Sequence, residues 1–334
     1  MAVFGLAFGL LVVALILGVG MGPVPLPPTE TIAILARRLL GLAVPQTWPA
    51  SAEAIVMEIR LPRVLSAMVV GLGLAVAGAT FQGLLRNPLA DPYVLGTASG
   101  AALGAAIAVL IPVRILVFEF GLLQGLAFVG ALIAVFTVYQ LSRASGAGMT
   151  SLLLTGYAVG SLLAAGLAMA MYMSGANLRQ IFFYLLGSLD ATSWLQLAVA
   201  MPIILLGSLA ILLRARSLDG LLLGEDAAAH LGVNVRRERA MLLALASLIT
   251  AAAVTLAGLI GFVGLVVPHL VRLVVGPSAR SVLPLSALFG ASLLTFADLG
   301  ARLLGEIPIG VVTAVFGAPF FLFLLARTRS AYEL

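Results

Sequence analysis

Apolar runs of bilayer length recur along this chain from residue 3 to residue 325, and no other feature limits its possible folds so sharply. A helix needs about 20 apolar residues to cross a hydrocarbon core about 30 Å thick. Such runs stand at 3–20, twice within 60–110, and at 115–141, 151–173, 194–213, 240–256, 262–275, 282–296 and 308–325, ten in all. In lipid the backbone must satisfy its own polar groups, which a helix does. The expected fold is therefore all-α: a single polytopic membrane domain over residues 1–334 with about ten transmembrane helices. Composition agrees, with 9% charged residues and a mean hydropathy of +1.20; a soluble globule carries about a quarter charged residues.

The stretch 60–104 organises the rest. It reads RLPRVLSAMVVGLGLAVAGATFQGLLRNPLADPYVLGTASGAALG. Arg60 and Arg63 flank a proline, and the run behind them carries Gly71, Gly73 and Gly78, small enough for a second helix to come close. From Asn87, Pro88 and Leu89 to Pro92, two prolines remove backbone donors and bar their predecessors from helical geometry, so the chain turns. A helix restarts after Pro92 with Gly96, Gly100 and Gly104 at four-residue spacing on one face. Gly156 and Gly160 form a similar pair later.

The run 3–20 reads as a first span rather than a cleaved leader, since no basic start and no small-residue cleavage site accompany it. Residues 22–58 are mixed, with a helix expected over 29–40 and a polar patch in which Trp48 suits an interfacial anchor. Glu119 stands near the start of the 115–141 span. The 151–173 span ends in methionines and 174–190 is interrupted, so Met169, Tyr172, Met173, Arg179 and Phe182 make a soft apolar surface with one charge. The most polar internal segment, 214–239, has arginines at both ends and a short helix expected over 224–231.

Ten spans put both termini on one side. With the termini in the cytoplasm, eleven of the eighteen arginines fall inside and seven outside, Arg60, Arg63 and Arg302 among the seven. The net charge of +5 fits loops beside anionic headgroups, and no basic run interleaved with aromatics points to nucleic acid. With no cysteine, the chain has no disulfide, thiolate metal site or thiol nucleophile.

Glu119, Asp190, Asp219, Asp298 and Glu306 fall at span ends or in loops, and no metalloprotease or phosphate-loop motif is present. No catalytic or metal-ligating residue is expected. His269, next to Pro268, is expected to bond a backbone group that the proline frees. An ion-coupled secondary transporter is the rival class, but it needs an ionisable acid at mid-membrane; its lack favours energy from a separate ATP-hydrolysing subunit. For Arg60, Arg63 and Arg302 two readings stay open: headgroup anchoring, or bidentate pairing with carboxylates of a soluble partner. In 219–233, Leu221, Leu222, Leu223 and Leu231 oppose charged residues, an amphipathic pattern that calls for a groove on a partner.

The segments RLPR, GATFQGLLRNPLADPYVLG, GFVGLVVPHLVR and GEIPIGVVTAVFGAPFF, in this order over residues 60–327, resemble the permease subunit of bacterial ABC importers for iron chelates, haem and vitamin B12. The resemblance implies the type II importer permease fold with two inverted repeats. It implies a homodimer in the inner membrane with its pathway on the twofold axis, both termini cytoplasmic. It also implies two ATP-binding subunits holding ATP and Mg²⁺, no cofactor on this chain, and a periplasmic binding protein whose glutamates meet Arg60, Arg63 and Arg302. Leu223, Gly224, Glu225, Asp226, His230, Leu231 and Gly232 would form the coupling helix that seats on the ATPase. Asn87, Pro88, Leu89, Met169, Tyr172, Met173, Arg179 and Phe182 would line the pathway or its gate. The expected cargo is an iron chelate, siderophore or haem, with cobalamin as the alternative.

Overall fold

A computed structural model describes residues 2–111, 116–117, 120–144 and 149–329. Glu119 and Arg114 lie outside the described residues, as do residues 145–148.

Helix α1 (Ala2–Gly20) is apolar on every side and leads through the proline cluster to α2 (Pro28–Leu40), which stops at Gly41 in the left-handed region, φ +66°. Next, α3 (Ala50–Ala54), a π-helical turn at Ile55–Arg60 and α4 (Leu61–Leu84) run on as one rod of 35 residues. The widened turn falls where the rod leads into Arg60 and Arg63. After a turn come α5 (Thr97–Leu110), a two-residue pairing of Leu116–Val117 with Phe120–Gly121, α6 (Leu122–Ala144), α7 (Met149–Met173) and α8 (Leu178–Leu186). The remainder is α9 (Trp194–Leu213), α10 (Ala215–Leu222), α11 (Glu225–His230), α12 (Val235–Ala257), α13 (Val263–Val275), α14 (Ala279–Leu303) and α15 (Ile309–Arg329). Among the described residues seven helices are long and apolar enough to cross a membrane: α1, the 50–84 rod, α6, α7, α9, α12 and α14. Three shorter apolar stretches, α5, α13 and Ile309–Phe323 of α15, complete the ten apolar runs.

The rod's α4 part is buried almost throughout and enclosed by α14, α12, α13 and α9, the place for a helix that is apolar on every side. Missing side chains make that enclosure possible. At the α4–α14 crossing a methyl group on Gly71 would overlap the carbonyl of Gly290, and one on Gly290 would overlap the carbonyl of Gly71. The three glycines spaced by four serve two neighbours rather than one: Gly100 and Gly104 admit α6, whereas Gly96, at φ +75°, precedes α5 and faces Gly156 and Gly160 of α7.

Two expectations need correction here. Trp48 is no interfacial anchor: it is buried with Val19, Ile34 and Val56 and donates its indole N–H to Glu53 at 3.0 Å, because 22–58 folds back into a small core of its own. And α14 continues to Leu303, past the expected end at 296, so Asp298 and Arg302 stand inside a helix rather than in a loop.

Candidate functional site

At one end of the bundle Arg63 is held by three carboxylates, one from a helix and two from connecting segments. Its Nε donates to Asp298 of α14 at 2.8 Å, Nη1 to Glu306 at 2.9 Å, and Nη2 pairs with Asp190, before α9, at 2.9 Å. Asp298 is 0% exposed and also pairs with Arg302, one turn on, at 3.0 Å. Arg302 donates to the carbonyls of Gly18 (3.0 Å) and Met21 (3.1 Å), and Arg60 to those of Val19 and Gly20 at 3.1 Å and to that of Val24. The last carbonyls of α1 have no partner in their own helix, so two guanidiniums cap it and complement its negative end.

Sequence reasoning left these arginines as headgroup anchors or as forks for a partner's carboxylates; in the structure all three are buried and bonded within the chain. The physical reason is the length of α14, which brings a carboxylate between Arg63 and Arg302. A buried carboxylate is tolerated only with such close compensation. Above the cluster lies a crevice of about 210 Å³ lined by Pro23, Ile55, Ile59, the three arginines and the part-exposed Glu306.

At the opposite end, α10 and α11 meet at Gly224, whose φ of +121° is rarely open to a residue with a side chain. Arg86 donates to the carbonyl of Leu221 at 3.1 Å; Asp219 accepts from the amide of Ala279 and from Ser278; Glu225 pairs with Arg239. The corner is thus tied to the ends of α4, α14 and α12. Glu225, Asp226, His230 and Gly232 are exposed, as are Leu223 (72%) and Leu231 (66%). Leu221 is buried, because α10 turns it with Leu218 into the core. The expected four-leucine face is therefore reduced to two exposed leucines, one at each end of α11, with Leu222 partly covered.

Between α4 and α5 the backbone reverses through Arg86 at φ +46° and an Asn87 side chain that accepts from the amide of Leu89 at 2.9 Å. Asn87, Pro88 and Leu89 are exposed. Asp91 accepts from the amide of Tyr93 at 2.8 Å; burial pushes its carboxyl up to about 6, against the pull of that amide. The Tyr93 hydroxyl donates to the carbonyl of Ile260 at 2.9 Å and accepts from its amide at 3.2 Å, tying this turn to the break before α13.

His269 makes no side-chain hydrogen bond among the described residues, contrary to expectation. The carbonyl that Pro268 frees, that of Gly264, is reached instead by the Gln82 amide at 3.4 Å, which also donates to Leu265 at 3.0 Å. Arg272 bonds the other side of Gln82 and the carbonyl of Ala79 at 3.1 Å. Sequence reasoning missed this pair; a lone glutamine in an apolar helix was its one signal.

On α7 and α8, Met169, Tyr172 (87%), Met173 and Phe182 are exposed, and Arg179 lies 5.3 Å over the ring of Phe183. Among the described residues, no three His, Asp or Glu side chains group to hold a metal ion.

The FecCD transport family matches residues 10–327. The chain is 46% identical over 300 residues to the cobalamin import system permease protein BtuC of Halobacterium salinarum, covering 89% of this chain and 79% of that one. It is 44% identical over 279 residues to the hemin transport system permease protein HmuU of Yersinia pestis, covering 82% and 83%. Among solved structures, an inward-facing conformation of a metal-chelate type ABC transporter superposes with a TM-score of 0.83 at 32% identity, covering 98% of this chain and 99% of that one.

Proposed function

Since the chain belongs to the FecCD transport family, we propose that it builds the translocation pathway for a metal chelate, a ferric siderophore or haem, with cobalamin as a second reading. It is the permease subunit of an ABC importer and not an enzyme. The observation that carries the cargo class is the near-complete superposition on a metal-chelate transporter, together with the relative named for hemin. The relative named for cobalamin import favours the second reading. These cargoes share a large, partly apolar body, and the exposed thioethers and aromatics of Met169, Tyr172, Met173 and Phe182 suit it without fixed charge.

In this reading two copies pair about the pathway in the bacterial inner membrane, with both termini and the 214–239 loop cytoplasmic. Two ATP-binding subunits, which hold ATP and Mg²⁺, seat on Leu223 to Gly232. Support comes from a corner fastened to three helices that leaves two leucines uncovered. Asn87, Pro88 and Leu89 stand at the inner mouth. A periplasmic binding protein docks over the crevice at Arg60, Arg63 and Arg302, its carboxylates competing with Asp190 and Glu306 for Arg63.

Vesicles reconstituted with the full complex test the proposal. ATP-driven accumulation of a ferric siderophore or haem is expected. Uptake of cobalamin alone would select the second reading, and ATP-driven uptake of none of the three would overturn both.

A further inference from the structure

Beside α11 a cavity of about 470 Å³ opens between α6, α7 and α12, lined by Arg143, Arg236, Arg239, Tyr139 and Glu225 among others. Three guanidiniums face one carboxylate there, since Glu238 is taken by Arg214 at 2.7 Å. Arg239 is only half satisfied: Glu225 holds one end of its guanidinium, while its Nε is buried without an acceptor among the described residues. Arg236 is exposed with no side-chain partner among the described residues, and Arg143 lies 5.7 Å over the Tyr139 ring. The cavity has an excess of positive charge and an unmet donor.

A second cavity of about 400 Å³ shares Tyr139, Ala240 and Leu243 with the first and continues between α6 and α12 past Val135, Ala244 and Leu248. Its walls are apolar. From Ala240 to Leu248 the helix rises about 12 Å, enough to lay a length of hydrocarbon chain beside it.

We propose that the two cavities form one site for an anionic glycerophospholipid, with its phosphate on Arg236, Arg239 and Arg143 and one acyl chain in the α6–α12 groove. Charge complementarity and continuity decide the occupant. A free phosphate, a nucleotide or an acidic side chain would use the arginines and leave the groove empty; an apolar peptide would fill the groove and leave the arginines unmatched. An amphiphile with a negative head meets both, and a basic pocket at the end of membrane helices is where such heads bind. Because Glu225 opens α11 and pairs with Arg239, a phosphate that meets the unpaired Nε of Arg239 brings negative charge beside Glu225. Lipid occupancy therefore bears on the segment proposed to meet the ATPase, whatever the cargo.

Native mass spectrometry of the purified full-length chain in neutral detergent tests the site, with dioleoyl phosphatidylglycerol, dioleoyl phosphatidylcholine and inorganic phosphate as probes. Phosphatidylglycerol should be retained at lower concentration than phosphatidylcholine. The variant carrying Arg236→Gln and Arg239→Gln should bind phosphatidylglycerol roughly thirtyfold more weakly, the sum of two basic groups near an anionic head, with phosphatidylcholine unchanged. Ala244→Phe, which fills the groove, should weaken phosphatidylglycerol while leaving the arginines in place. Arg236→Gln alone, at an exposed residue, serves if the double variant does not fold. Equal affinity for the two lipids, phosphatidylglycerol binding unmoved by the arginine variants, or displacement of the lipid by equimolar inorganic phosphate would overturn the proposal.

Discussion

Asp298 sits between two buried guanidiniums, and its loss is felt by both. Asp298→Ala leaves Arg302 with carbonyls only and Arg63 with two part-exposed acids. The expected destabilisation is about 3–5 kcal/mol, as for other buried pairs broken from one side. Asp190→Asn and Glu306→Gln, at the exposed margin, should each lose less than about 1 kcal/mol. Thermal unfolding of the three variants in one detergent checks the order; equal losses would mean that Arg63 does not depend on its buried partner. Asp91 gives a pH dependence of known sign. Burial raises its pKa from 3.8 to about 6, so the folded chain holds a proton that the unfolded chain releases between those values. That contribution to stability is fully present below about pH 4 and is lost as pH rises through about 6. Asp91→Asn should remove this decline from the melting temperature measured between pH 4 and 7, and parallel curves for variant and wild type would clear Asp91 of the effect.

Helices here meet through absent side chains, so substitution tolerance should follow contact rather than hydropathy. Gly290→Leu drives a side chain into the backbone of α4 and should reduce the monodisperse yield sharply, an overpacking penalty of about 1–3 kcal/mol or more. Gly9→Leu, with open space around it, should be harmless, and fluorescence-detected size exclusion separates the two outcomes. At the α10–α11 corner, Leu223→Asp with Leu231→Asp should leave the chain folded, since both side chains are exposed, yet abolish cargo-stimulated ATP hydrolysis by the full complex. Unchanged stimulation would take the corner out of the coupling. The spans were legible because lipid demands long apolar runs, and the α11 helix because glycines and charges bracket it. The end of α14 was not: Asp298 and Arg302 read as loop residues until each is seen to neutralise the other. The network around Arg63 was hidden for a different reason, as its partners lie 127, 235 and 243 positions away and no local period relates them. Leu221 was misplaced because Gly224 breaks what the sequence offers as one helical face into two short helices.

For the whole molecule the open variable is orientation, and a chain without cysteine makes it simple to read. Cysteines at Gln46 and Asn234, both exposed, should respond oppositely to an impermeant thiol reagent on intact cells. Labelling at 46 and not at 234 is expected; the reverse would invert the molecule and move the arginine crevice to the cytoplasm. The arginine cluster also sets a timetable for biosynthesis. At a ribosome's pace of about 5–20 residues per second, the 235 positions between Arg63 and Asp298 take roughly ten to fifty seconds to make. Until Asp190 is made, 127 positions on, the nascent chain carries a bare guanidinium near the end of a membrane helix. Before then it can reach only headgroups and water, and its buried partner Asp298 still waits on a helix close to the other terminus.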